Sequence, residues 1–234
     1  MKVEKSILKL IWFSCLDSLV KRFSTLYTDR PIGKYRTMES TEIILNKAEK
    51  LFADSGFGSV SMTNIANACD MSKANLYHHF SSKEDLYVQI LTRAQKKTQN
   101  ILEKTKVITG SYIEKIEFFI SEHLNQMLKD PIKYKLLARE FSDLGLSSHA
   151  MPSVGLMEQN LSQVIDLIDQ AKKSGEIIDD ADSRLLAYQL ISPNLVYITH
   201  QNMFDSTFEG LGPSSNKNFS KTLTTNLLRG VKTK

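Results

Sequence analysis

The stretch "SVSMTNIANACDMSKANLYHHFSSKEDLY", residues 59–87, decides how the rest of the chain is read. It is too polar for a buried helix and too regular for a loop. Ser61 is placed to cap a helix over "MTNIANAC" and Ser72 to cap a second over "KANLYHHF", because a Ser hydroxyl accepts from the N–H groups that a first helical turn leaves unpaired. Only a short turn of about three or four residues separates them, so the two helices must cross steeply, which is the layout of a helix-turn-helix. Val60, Ile65, Ala66, Met71, Leu76 and Phe80 fall where such a unit needs apolar contacts.

The residues outside that core carry the chemistry. At about 100° per residue, Leu76 and Phe80 point inward, Ala74 and His78 point away, and Asn75 and Tyr77 flank them. The outward surface offers a small residue for close approach, an amide that can pair with adenine bidentately, and aromatic hydroxyl and imidazole groups suited to phosphate. Lys73 and Lys83 add positive charge at either end, and the helix N-terminus itself favours an anion. His78 and His79 are adjacent on a helix and diverge too far to share a metal ion. Tyr77 divides between a packed ring and an outward hydroxyl, and Cys69 reads as an inert packing residue.

Working outward, Ile44, Ala48, Leu51 and Phe52 recur at helical spacing and predict a helix that Gly56 and Gly58 end. A longer helix starts at a Ser82 cap, with Glu84 and Asp85 in its first turn, and runs towards Lys106. Further helical patterns cover 110–129, 131–143, 152–174, 180–205 and 216–232, with Pro193 expected to kink or interrupt the fourth. Strand alternation is missing, so the fold class is all-α.

Residues "ILNKAEKLFADSGFGSVSMTNIANACDMSKANLYHHFSSKEDLY" closely resemble the DNA-binding domain of the TetR family of transcriptional regulators, TetR/AcrR type. The likeness lies in the "LF" followed by a glycine pair, the small capping residue before "IA", the Ser-Lys start, "LYHHF" and "SKEDLY". It implies an N-terminal three-helix DNA-binding domain with a helix-turn-helix, a connecting helix, and a C-terminal helical ligand-binding and dimerisation domain. The corresponding boundaries are 38–98, with the helix-turn-helix at about 61–80, and 105–234. By the same resemblance Lys73, Ala74 and Asn75 would face bases, while Ser61, Tyr77, His78 and Lys83 would hold phosphates of double-stranded DNA, on a palindromic operator. It also implies a homodimer, joined through the helices near 180–205 and 216–232, and a small-molecule effector that releases a repressor from its operator; the cysteine usage points to a reducing cytoplasm. Two positions depart from the family pattern. Asp70 stands at a turn position usually held by Gly, and Asn75 where a small residue is frequent, which bears on the operator sequence.

Composition excludes other classes. The net charge of +4 arises mostly at the N-terminus, where residues 1–35 hold seven Lys/Arg against three Asp/Glu; residues 36–97 hold eight against seven. Any nucleic-acid surface therefore rests on where particular side chains point. Two cysteines, Cys15 and Cys69, lie far apart without a Cys/His cluster, and no metal or other cofactor is expected. His123, His149 and His200 lack a nucleophile or metal partner, and Glu140 with Asp143 reads as a solvated pair, so the chain is not expected to be an enzyme. Phe118, Phe119, Met127, Tyr134, Phe141, Met157 and Met203 are of the kind that line a cavity or simply fill a core.

Residues 1–37 form an N-terminal extension with a stripe of Leu8, Trp12, Leu16, Leu19 and Phe23, too interrupted by charge to span a membrane. Two readings stand for it: an amphipathic helix, or a segment preceding a working start at Met38. A "YTDRPIGKYR" linker with Pro31 and Gly33 follows. The competing functional reading is a helical interaction or membrane-surface protein whose helix-turn-helix no longer binds DNA.

Overall fold

The computed structural model describes residues 38–142, 151–207 and 219–231. The readings that fall on residues 1–37, Asp143 and His149 lie outside them. Ten helices make up the described residues: α1 (Met38–Ser59), α2 (Met62–Ala68), α3 (Lys73–His79), α4 (Lys83–Val107), α5 (Tyr112–Lys129), α6 (Pro131–Ser142), α7 (Met151–Lys173), α8 (Ser183–Thr199), α9 (Gln201–Thr207) and α10 (Phe219–Leu228). No helix among them is long and apolar enough to cross a membrane.

Local chemistry sets the helix ends. Ser61, Ser72 and Ser82 cap α2, α3 and α4, accepting from the backbone N–H of Asn64, Asn75 and Asp85. Ser111 caps α5 in the same way, and Glu114 completes the pair by accepting from the Ser111 N–H at 2.8 Å. α1 is broken at Gly56, whose φ of 77° and ψ of 160° lie outside the helical region and suit a residue without Cβ. Pro193 does not interrupt its helix. α8 runs through it to Thr199, and the break falls at His200, before α9.

The interior divides into two apolar clusters. The first joins Ile44, Ala48 and Phe52 of α1, Ile65 of α2, Leu76 of α3 and the first half of α4 to Met127, to Leu136 and Leu137 of α6, and to Ile198. The second joins Ile101 and Leu102 of α4 to Ile116 and Phe119 of α5, Val164 and Ile168 of α7, and Leu186 and Leu190 of α8. Between the two, four helices contribute buried polar side chains: Gln95 and Thr98 of α4, His123 of α5, Asn160 of α7 and Asn194 of α8. Tyr134 of α6 borders this layer, its ring centre 5.9 Å from that of His123.

Charged groups also enter the interior. Glu140 is buried and accepts from the Tyr87 hydroxyl at 2.7 Å, so the solvated role expected of it does not hold. Lys133 of α6 and Glu49 of α1, both buried, form an ion pair at 3.2 Å.

Burial pushes His123 down to about 4, because the apolar surroundings disfavour the imidazolium. Since the unfolded group titrates near 6.5, the unfolded chain binds the extra proton first as pH falls. His123 therefore contributes stability that is complete above pH 6.5 and is lost between there and about 4, by up to about 1.4 kcal/mol per pH unit. Thermal unfolding of wild type and His123→Phe from pH 7.5 to 4.5 checks this. The variant is expected to lose less Tm across that range than wild type.

Candidate nucleic-acid interface

α2 and α3 owe their positions to burial of one face each. Met62, Ile65 and Ala66 of α2 and Leu76 of α3 are buried, as are Val60 before α2 and Phe80 after α3. The turn between the helices depends on Asp70, whose φ of 53° places it in the left-handed region. The Asp70 N–H donates to the Asn67 carbonyl and the Met71 N–H to the Ala66 carbonyl, closing the turn. The expected departure from glycine is thus accommodated by a residue type that tolerates this region better than most, with some residual strain.

On α3 the remaining residues face outward. Lys73, Ala74, Asn75, Tyr77 and His78 are all exposed, while His79 is half-buried beside Thr41 of α1, Nδ1 lying 3.5 Å from the threonine hydroxyl. Tyr77 is 47% exposed, so its ring as well as its hydroxyl reaches solvent. The Lys73 ammonium lies 5.9 Å from the Tyr77 ring centre, one turn away, which keeps the charge on the outward face. Five of the seven candidates therefore share one helix surface.

The other two sit at the starts of neighbouring helices. Ser61 is exposed, and its side chain closes a reciprocal cap with Asn64, which accepts from the Ser61 N–H at 2.9 Å. The signal was present in the sequence: Asn64 occupies the third helical position, where Glu or Gln usually completes such a cap. Lys83 does not simply extend into solvent. Its ammonium donates to the Phe57 carbonyl at 2.8 Å and lies 4.1 Å from the centre of the Phe57 ring. Burial raises the Cys69 thiol above its usual range, which keeps it from the reactive thiolate form.

This arrangement of a short, outward-facing third helix held by a buried second one agrees with comparisons to known proteins. Residues 44–90 match the family described as bacterial regulatory proteins, tetR family. The chain carries a TetR-family DNA-binding domain over these residues. The HTH-type transcriptional regulator UidR of Escherichia coli K12 is 29% identical over 155 residues, which cover 63% of this chain and 74% of UidR. Among solved structures, the ketosteroid transcriptional regulator KstR2 of Mycobacterium tuberculosis superposes with a TM-score of 0.67 at 17% identity, covering 88% of this chain and all of KstR2. The TetR family regulator PfmR of Thermus thermophilus gives 0.64 at 22% identity over 80% of this chain and 97% of PfmR. The all-α TetR fold, with its DNA-binding domain at the N-terminus, is therefore the fold of this chain.

Asp70→Gly removes a Cβ from the left-handed region without touching the outward face of α3. It is expected to raise stability by about 0.5–1 kcal/mol, read as a higher urea midpoint at unchanged slope. A lower midpoint would mean that the Asp70 side chain stabilises the turn more than its backbone strain costs.

Proposed function

We propose that the chain is a homodimeric repressor that binds a palindromic operator through α3 and is released by a small-molecule effector held among α4–α8. The observation that carries this reading is the outward face of α3: Lys73, Ala74, Asn75, Tyr77 and His78 lie exposed on a helix anchored by the buried Leu76. Lys73, Ala74 and Asn75 meet base edges; Ser61, Tyr77 and His78 meet phosphates. Lys83 reaches phosphate only by giving up, or sharing, its bond to the Phe57 carbonyl, so its role joins DNA contact to the seating of α1 on α4. On this reading residues 38–98 form the DNA-binding domain and residues 105–234 the effector and dimerisation domain.

Dimerisation is supported by α8. Its inward face buries Leu186, Leu190, Tyr197 and Ile198, yet Leu185, Tyr188 and Val196 on the other side remain 55%, 68% and 49% exposed. A helix apolar on both faces seeks a second partner. α10 supplies a polar flank, since Ser220, Thr224 and Leu228 are buried and Lys221, Thr222 and Arg229 are exposed. Two copies of α3 reading half-sites one helical turn apart gain affinity that one copy lacks.

Selection from a random duplex library with purified protein tests the DNA reading. An inverted repeat whose binding weakens steeply with salt is expected; enrichment no better than non-specific binding would favour the interaction-protein alternative. Asn75→Ala should change the preferred base at one position per half-site, costing about 1–3 kcal/mol on the selected site. Lys73→Met should weaken binding with a shallower salt slope.

Tyr188→Asp places a charge in the exposed apolar stripe of α8. It is expected to shift the protein from dimer to monomer in analytical ultracentrifugation and to reduce operator affinity sharply, with helix content unchanged. A dimer that persists in Tyr188→Asp and in Leu185→Asp would place the interface elsewhere.

A further inference from the structure

The buried polar layer between the two apolar clusters is not explained by the fold. Asn160 donates through Nδ2 to the Gln95 backbone carbonyl at 3.0 Å and to Gln95 Oε1 at 3.1 Å. Asn194 donates to the Ile120 carbonyl at 3.0 Å, and His123 stacks on Phe119 with ring centres 5.4 Å apart. These contacts engage the amide nitrogens of Asn160 and Asn194 and leave their oxygens. Asn160 Oδ1, Asn194 Oδ1 and His123 Nδ1 are buried without a hydrogen-bond partner, and the Tyr134 hydroxyl sits beside Thr98 without an aligned bond. Each buried polar atom left this way costs on the order of 1–3 kcal/mol, so a layer that carries several implies something that pairs with them.

A groove of about 390 Å³ lies between α4, α5 and α7, lined by Leu102, Thr105, Gln163 and Leu167 and, at its rim, by the charged Lys106, Lys115 and Asp166. Its size falls within the range of about 300–1,000 Å³ usual for small-molecule sites. Gln163 follows Asn160 by one turn of α7, Leu102 follows Thr98 by one turn of α4, and Gln163 Oε1 is a further buried acceptor without a partner. The groove therefore lies about one helical turn from the layer along α4 and α7.

We propose that this layer is the recognition site of the effector invoked above, reached through the α4/α5/α7 groove, and that the effector is a small uncharged molecule presenting at least two O–H or N–H donors. The proposal rests on the ligand-responsive reading and adds the chemistry of the ligand. The donors follow from the amide oxygens of Asn160, Asn194 and Gln163, which can only accept. The absence of charge follows from the layer itself: Gln95, Thr98, His123, Tyr134, Asn160 and Asn194 offer no carboxylate or fixed cation, and a buried ion without a counter-charge is expensive. His123 is neutral near pH 7, consistent with the same choice. The faces of His123, Phe119 and Tyr134 supply a flat apolar wall beside the acceptors.

The test uses the full chain and a fixed set of probes: methyl β-glucopyranoside, uridine and 4-hydroxybenzamide as uncharged donors, decanoate and tetraphenylphosphonium as charged comparators. Calorimetry and thermal shift are expected to show saturable binding by at least one uncharged probe and to show that it weakens binding to the selected DNA tenfold or more. Tyr134→Phe keeps the ring and removes only the hydroxyl, and His123→Phe replaces the imidazole by an aromatic ring without polar atoms. Each is expected to weaken that probe at least tenfold while leaving the Tm of the free protein at pH 7.5 equal or higher, because an unpaired buried group has been removed. Binding by no uncharged probe overturns the proposal, as does binding by a charged one in their place. Unchanged probe affinity in both variants, or a Tm lowered in both without loss of affinity, overturns it as well and makes the layer purely structural. Wild type that binds its DNA site but ignores every probe counts against this inference alone; wild type that binds no DNA site at all counts against the regulator.

Discussion

Tyr87 is the point on which the placement of α3 depends. Its ring, 1% exposed, meets Phe52 edge-on at 4.9 Å and Phe57 at 4.8 Å, and its hydroxyl donates to Glu140 of α6. One side chain of α4 therefore fastens the end of α1 and the body of α6 to the same turn. Lys83, one turn earlier, packs its ammonium over the Phe57 ring and binds the Phe57 carbonyl. Because α1–α3 share their apolar cluster with α4 and α6, they have no separate interior and cannot tilt independently of those two helices. The Lys133–Glu49 pair and the Arg93–Glu42 contact hold the same junction through charge. A buried pair of this kind adds little net stability over an apolar substitute and more to the choice of one arrangement, because breaking either half leaves a buried charge.

What was legible in the sequence was what is local. Ser61, Ser72 and Ser82 act on N–H groups three residues away, so the caps and the helix starts followed from spacing alone. The left-handed turn at Asp70 and the burial of Leu76 and Phe80 followed for the same reason. Lys83 was legible only as a surface cation, because its partner Phe57 lies 26 residues back and meets it through the docking of α1 on α4. Glu140 looked solvated because its partner Tyr87 is 53 residues distant. The break at His200, in place of the one expected at Pro193, is likewise not written in local propensity: a helix can carry a proline when its packed neighbours compensate the lost bond, and α8 is packed on one whole side.

The polar layer escaped notice for a related reason. On each helix it amounts to one or two residues, Gln95 and Thr98, His123, Asn160 or Asn194, set in an otherwise apolar face, and a single polar residue in such a face carries no periodic signal. Only the tertiary fold aligns them at one level. Of the residues read as lining a cavity or filling a core, Phe119, Met127 and Tyr134 are buried, while Met203 is 45% exposed. The open groove is lined instead by mixed residues such as Thr105, Lys106 and Gln163.

The seven residues of α3 are too few to hold a helix in water by themselves. The orientation of α3 is therefore set wholly by what Leu76 and Phe80 are packed against, and that is the cluster whose other members belong to α1, α4 and α6. α4 passes from this cluster, through the polar layer at Gln95 and Thr98, into the second cluster at Ile101 and Leu102. A continuous helix crossing a boundary between two well-packed interiors transmits displacement along its axis, because neither interior can absorb it without losing contacts. The boundary itself carries several buried polar atoms without a hydrogen-bond partner, and so is a level at which two arrangements can lie close in energy. On the proposed reading, a change there reaches α3 as a movement of α4, and with two copies of α3 on one duplex a small movement of each would alter the spacing that both must match.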